Sequence, residues 1–293
     1  MSKLIIWVFI VLVIILICRT CVFPLSAGSV DSGIEAAESL RSQLDIREYP
    51  LVAAIVEPRE QNLVRILNHF IKVMPAYTHF QVYHGTKNQE ILYKNFKSYI
   101  QSGKISLWNL GVPNLTIQGY NALLTSKEFW NTIQSERVLI FQTDAITCDK
   151  SPFNIENFIK YDFVGAPVAI YIRILISILF LGKGYITGHT RFYNGGLSYR
   201  TKSKMLAIIE KYPWDQLTTE DIWFCAFLPR VGGVLPEIKQ ARQFSFESEQ
   251  LDYIPWGVHK PRKEYNKLCK ICPEFKQIPF IESHTDYRNL YLV

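Results

Sequence analysis

Between Leu51 and Gln142 the chain alternates short strand-like runs with amphipathic helical stretches. "LVAAIV" (51–56) is a wholly apolar strand, and "EPRE" breaks it. In "NLVRILNHFIKVM", Leu63, Ile66, Leu67, Phe70, Ile71 and Met74 recur at helical spacing. "HFQVYHG", "QEILYKNFKSYIQ", "KISLWNL", "YNALLTSKEFWNTI" and "VLIFQ" continue as strand, helix, strand, helix and strand. Strands this apolar are buried on both faces, so the alternation predicts an α/β domain. Its central sheet is expected to be mostly parallel, Rossmann-like, and flanked by helices on both faces. Ligands bind such sheets at the carboxyl ends of the strands. "EPR" (57–59) and "QTD" (142–144) therefore fall on the expected ligand edge.

The second half of the domain is less regular. "YDFVGAP" (161–167) reads as a strand entering a turn. The apolar run "VAIYIRILISILFL" (168–181) has Arg173 inside it. It reads as a buried helix or hairpin, with a membrane-dipping segment as the alternative. "KSKMLAIIEKY" is helical, and "TTEDIWFCAFL" starts as a Thr-capped helix with an acidic first turn.

The N-terminus does not belong to a globular core. Leu4–Cys18 is a run of fifteen uncharged residues between Lys3 and Arg19. As a helix it reaches about 22 Å, short of a ~30 Å hydrocarbon core, and snorkelling of Lys3 and Arg19 extends it. We expect a membrane anchor over 1–25, with a cleaved signal peptide as the alternative. A polar stem or linker over 26–48 and the main domain over 49–293 are expected to follow. The expected localisation is single-pass membrane, with a Golgi- or ER-type lumenal domain if the source is eukaryotic. Asn114 of "NLT" is then a glycosylation acceptor. Cys269 and Cys272 form one C-x-x-C, too little for structural zinc, and read as a local disulfide or two bystander thiols. The net charge of +6 is spread among charges of both signs, which gives no reason to expect nucleic acid as a partner.

Four places carry candidate chemistry. Asp144, at the end of a strand with Gln142 and Thr143, either holds a cation or ribose or only terminates the strand. Asn194, Gly195 and Gly196 of "NGGLSYR" either let the backbone approach a ligand or make a tight turn. Glu220 and Asp221 either complement a helix dipole or supply a general base. In "IPWGVHKPR", Trp256 suits stacking on a sugar, His259 a metal or phosphate, and Lys260 and Arg262 a diphosphate. A nucleotidyltransferase is disfavoured because "EPRE" is not a Gly-rich phosphate loop.

In this order the motifs resemble the glycosyltransferase A-type fold. More closely, the chain is similar to a glycosyltransferase-like domain family through "AIVEPR", "YNALLTSKEFW", "VLIFQTDA", "YDFVGAP", "NGGLSYR", "EDIWF" and "GVHKP", spread over about residues 50–262. The resemblance implies a nucleotide-diphospho-sugar donor, a Mn2+ or Mg2+ ion, and a glycan, protein or lipid acceptor. It implies Asp144 at the second position of an Asp-x-Asp metal motif, with Gln142 in place of the first Asp, and His259 as a further metal ligand. Val56, Glu57, Arg59 and Thr143 would line the nucleotide, with Lys260 on its diphosphate. Asp221 would be the base, Glu220 its substitute, in an inverting transfer. The missing first Asp leaves a second expectation open: a catalytically silent sugar-binding or scaffold protein on the same fold.

Overall fold

The computed structural model describes residues 29–43, 45, 47–182 and 189–279. The apolar run at 4–18 lies outside the described residues, and so does "KGYITG" (183–188). Among the described residues, no helix is long and apolar enough to cross a membrane.

Six strands form the main sheet: β1 Leu51–Val56, β2 Thr78–His84, β3 Ile105–Asn109, β4 Arg137–Phe141, β6 Phe163–Pro167 and β7 Tyr193–Thr201. Their order is β3-β2-β1-β4-β7-β6. β1 to β4 run parallel, and β7 is antiparallel to β4 and β6. The fold is mixed α/β with a central sheet, as the apolar runs predict. β1 and β2 are buried along their whole length, which explains why alternation is absent from "LVAAIV".

Crossovers set the two helical layers. Helices α2 (Leu63–Val73) and α3 (Gln89–Gln101) connect β1 to β2 to β3, stepping one way across the sheet. The return to β4 places α4 (Ile117–Leu124) and α5 (Lys127–Thr132) on the opposite face, because such crossovers are right-handed. "YNALLTSKEFWNTI", expected as one helix, is two. Ser126 accepts from the Phe129 amide and caps a fresh start.

Helix α1 (Asp31–Arg41) lies in the expected stem, yet it packs on the domain. Its Ala36, Ala37 and Leu40 are buried. A Cβ on Gly33 would meet the Gly119 carbonyl oxygen at 2.0 Å, so α1 and α4 cross at backbone contact. Arg41 pairs with Glu128 at 2.6 Å across the same joint.

Helix α6 (Ile170–Gly182) follows β6, and α7 (Lys202–Lys211) follows β7. Helix α8 (Glu220–Phe227) packs on β7 and α4. A small second sheet joins β5 (Ala145–Thr147), β8 (Ser245–Phe246) and β9 (Gly257–His259) in the order β5-β9-β8. Helix α9 (Ile238–Phe244) precedes β8, and α10 (Tyr265–Ile271) follows β9.

The cysteine expectation is corrected. Cys272 bonds not to Cys269 but to Cys148, 124 residues away, and Cys269 is free. The bridge ties the chain just past β5 to the end of α10. Closing so long a loop restricts the unfolded chain, so Cys272→Ser is expected to lose about 4 kcal/mol of stability. Urea unfolding with and without reductant checks this; an unchanged midpoint would mean the thiols are not bridged.

Candidate active site

Strand pairing builds the site. In the small sheet Ala145 lies opposite His259, and the Lys260 amide donates to the Asp144 carbonyl at 2.9 Å. The β5–β9 register therefore sets Asp144 beside His259. In the main sheet Phe141 lies opposite Leu197, and the Gln142 amide donates to the Gly196 carbonyl at 2.8 Å. That bond sets Gln142 beside Gly196. Both pairs sit at the carboxyl end of β4.

The side chains then meet. His259 Nε2 lies 3.2 Å from Asp144 Oδ1 and 3.3 Å from Gln142 Oε1. The imidazole is off the hydrogen-bonding direction of Asp144, whose Oδ1 is buried with no donor. His259 Nδ1 is likewise buried without a partner. Burial alone would raise the Asp144 carboxyl, but the attraction of His259 and Lys260 outweighs it and lowers it to about 2.

The paired glycines are explained by close approach. Neither has a positive φ, so a left-handed turn is not what they supply. A Cβ on Gly196 would stand 2.1 Å from His259 Nε2 and 2.7 Å from Gln142 Oε1. A Cβ on Gly195 would stand 2.5 Å from Glu220 Oε1, 2.6 Å from an Arg200 guanidinium nitrogen and 3.0 Å from Asp221 Cβ. Adjacent residues of one strand thus touch both acidic centres. Asn194 locks the loop by accepting the Gly196 amide at 2.8 Å.

Glu220 and Asp221 have separate fates. Glu220 is buried, with both oxygens on the fully buried Arg200 at 2.6 and 2.8 Å. Burial pushes its carboxyl up and Arg200 pulls it back. A carboxylate so enclosed has no path to a substrate proton, so the expectation of Glu220 as a substitute base is corrected to an ion-pair partner. Asp221 is half-buried. Its Oδ2 accepts the Gly195 amide at 2.8 Å, and its Oδ1 accepts the Thr219 hydroxyl and the Ile222 amide, both at 2.7 Å. It also satisfies the start of α8, whose expected Thr219 side-chain cap is absent.

The edge of β1 forms the opposite wall. Val56 is buried at the strand end. Glu57 accepts Arg59 Nε at 2.8 Å and its second guanidinium nitrogen at 2.9 Å. The Thr143 hydroxyl donates to Glu57 Oε2 at 3.3 Å, linking the ends of β1 and β4.

Trp256 does not fit its expected role. It is buried with its ring 5.1 Å from that of Phe244, so its faces are spent in the core and cannot stack on a sugar. Arg262 pairs with Glu247 at 3.2 Å. Lys260, with a left-handed φ of 43°, is held beside Asp144. Arg200 was missed as a functional residue; its sole sequence signal was a charge inside an otherwise buried strand.

A divalent cation fits this corner. Carboxylate, imidazole and amide oxygen converge, and one carboxylate oxygen lacks a donor. Among the described residues no set of three His, Cys, Asp or Glu is grouped for a metal. With one carboxylate, one imidazole and one amide oxygen, the corner offers a cation at most three protein ligands. Gly196→Ala is expected to displace His259, because its Cβ would fall 2.1 Å from Nε2, and a shift of the imidazole resonances in NMR checks this. Unmoved resonances would detach the glycine from the site.

Several solved structures are similar in chain trace. The mannosyltransferase PcManGT from Pyrobaculum calidifontis, in complex with GDP-Man and Mn2+, is 10% identical with a TM-score of 0.42, covering 71% of this chain and 63% of that one. The WbbM bifunctional glycosyltransferase in its apo form is 8% identical with a TM-score of 0.47, covering 80% and 49%. The apo-form glycosyltransferase GlyE of Streptococcus pneumoniae TIGR4 is 12% identical with a TM-score of 0.43, covering 72% and 54%. The chain spans less than two thirds of the length of each of these three proteins. No curated protein matches the chain. A family model matches residues 112–259, just over half of the chain, from ahead of α4 through His259, and the chain belongs to that family, described as Protein of unknown function (DUF5672).

Proposed function

We propose that the protein is a glycosyltransferase that moves a sugar from a nucleotide-diphospho-sugar to an acceptor hydroxyl with inversion. The observation that carries this reading is the pair of carboxylates bridged by adjacent glycines: Asp144 beside His259 and Gln142, and Asp221 on the Gly195 amide. Group transfer from a diphosphate needs a cation at the leaving group and a base at the nucleophile, and the two carboxylates supply a place for each.

Asp144, His259 and Gln142 would hold the cation. When bound, it would neutralise charge that builds on the departing diphosphate. Lys260 adds fixed positive charge at the same corner. Val56, Glu57, Arg59 and Thr143 shape the nucleoside side, and Asn194 with the two glycines shapes the acceptor side. Asp221 takes the acceptor O–H proton as the oxygen bonds to C1 of the sugar. The bond from C1 to the phosphate oxygen breaks, and the nucleoside diphosphate leaves with its electron pair. Glu220 and Arg200 act only by holding Gly195 and Asp221 in place.

In this reading Leu4–Cys18 anchors the chain in a membrane and the domain faces an oxidising lumen. The Cys148–Cys272 bridge supports that side, since such bonds persist in oxidising compartments. The exposed Asn114 is then expected to carry a glycan, and glycosidase treatment would lower the apparent mass.

Turnover of radiolabelled nucleotide sugars tests the proposal. Asp221→Asn is expected to lose about a hundredfold or more in rate while keeping nucleotide affinity. Near wild-type turnover would remove Asp221 from the chemistry. The catalytically silent reading is favoured by one observation, Gln142 standing where a first Asp would add a second carboxylate. It predicts nucleotide binding without donor hydrolysis.

A further inference from the structure

Helix α4 brings a phenol to the space between the two acidic centres. The Thr116 hydroxyl caps this helix by accepting the Gly119 amide at 2.8 Å, and the Tyr120 amide continues it on the Thr116 carbonyl. Asn121 Oδ1 accepts the Glu220 amide at 3.0 Å, so the residue next to Tyr120 pins α4 to the start of α8. The Tyr120 ring packs against the core, and its hydroxyl oxygen is fully enclosed. Polar groups reach that oxygen from three elements: Gln142 after β4, Glu220 and Asp221 on α8, and Arg200 on β7. One hydroxyl thus faces members of both centres.

This hydroxyl has no hydrogen-bond partner. Both Glu220 oxygens are taken by Arg200, and both Asp221 oxygens already have donors. The Gln142 amide is near enough to ease the phenol's ionisation, yet it is not aligned for a bond. Burial and the carboxylates outweigh it, push that ionisation up and keep the phenol neutral. An enclosed hydroxyl without a partner costs stability, and a phenylalanine ring would fill the same volume without that cost. A tyrosine here therefore points to a bond made only when the site is filled.

Gln142 is the partner that the geometry supplies. Its Oε1 lies 3.3 Å from His259 Nε2, which leaves the amide nitrogen as the end for Tyr120. An amide can turn either end toward a site, and only its oxygen binds a cation. We propose that Tyr120 is a positioning residue: its hydroxyl oxygen accepts the Gln142 amide N–H when the corner is filled, which keeps Gln142 Oε1 directed at the corner of Asp144 and His259. The inference rests on the cation reading of that corner.

Tyr120→Phe removes one oxygen and keeps the ring. Wild type, Tyr120→Phe, Gln142→Ala and the double variant are compared in two measurements. One is the melting temperature without ligand. The other is Mn2+ affinity in the presence of UDP or GDP, read from the paramagnetic resonance of free Mn2+. Tyr120→Phe is expected to melt no lower than wild type and to bind Mn2+ about tenfold more weakly. On the Gln142→Ala background the same change is expected to weaken Mn2+ no further, because the two side chains act as one unit. Equal affinity in wild type and Tyr120→Phe overturns the positioning role and leaves the cation reading standing. An undiminished loss on the Gln142→Ala background, or a ligand-free melting temperature several degrees lower, also overturns it. A wild type that takes up no Mn2+ overturns the cation reading and this inference together.

Discussion

Asp144→Asn is expected to abolish sugar transfer, by on the order of a thousandfold, while the protein stays folded. The side chain is nearly isosteric, so packing is retained. What changes is charge. The wild-type carboxyl is held at about 2 by His259 and Lys260 against its own burial. A carboxylate with a lowered value stabilises the fold above its unfolded value, near 4, and that contribution fades as pH falls toward 2. At pH 7 the variant is thus expected to lose at most about 2 kcal/mol, a few degrees in melting temperature. The difference from wild type should shrink toward zero in acid. A variant that loses activity with a native circular dichroism spectrum and this acid convergence fits the account. One that melts far earlier at pH 7 would assign Asp144 to structure alone.

Arg200→Ala is expected to cost about 3–5 kcal/mol of stability. Arg200 is fully buried in β7, donates to Glu220 and to the Ser198 hydroxyl at 2.9 Å, and its guanidinium lies 4.7 Å from the Phe163 ring centre. Removing it leaves the Glu220 carboxylate enclosed without a partner. The mechanism has a specific signature. Arg200→Met combined with Glu220→Leu should recover much of the loss, because an apolar pair avoids desolvating two charges. The double variant should still be slow, since Gly195 and Asp221 lose their support. Urea unfolding and turnover, measured together, separate the effects. A double variant no more stable than Arg200→Ala would mean that Glu220 is not the penalised group.

Local chemistry was legible in the sequence, and long-range pairing was not. The strands of the parallel half announce themselves because burial on both faces makes them continuously apolar. Asp144 and Glu57 were placed at the ligand edge because each follows such a run. That Asp144 and His259 meet depends on the β5–β9 register, and no local pattern encodes a pairing between segments more than a hundred residues apart. The glycines of "NGGLSYR" were visible, but the choice between a turn and a close approach needed the imidazole and carboxylate that crowd them. Glu220 read as a candidate base because an acidic pair at a helix start shows nothing of a cation arriving from β7. Trp256 and Cys272 were misjudged for a related reason. Their partners, Phe244 and Cys148, are set by the packing of the C-terminal segment against the small sheet.

The central claim is that the Asp144 corner holds a nucleoside diphosphate through a divalent cation. Titration calorimetry of UDP and GDP against the full chain, with Mn2+ and then with excess chelator, tests it most directly. The account predicts that at least one of the two binds with Mn2+, and that binding is lost with chelator and in Asp144→Asn. Binding of equal strength in all three conditions, or none with Mn2+ present, would contradict it.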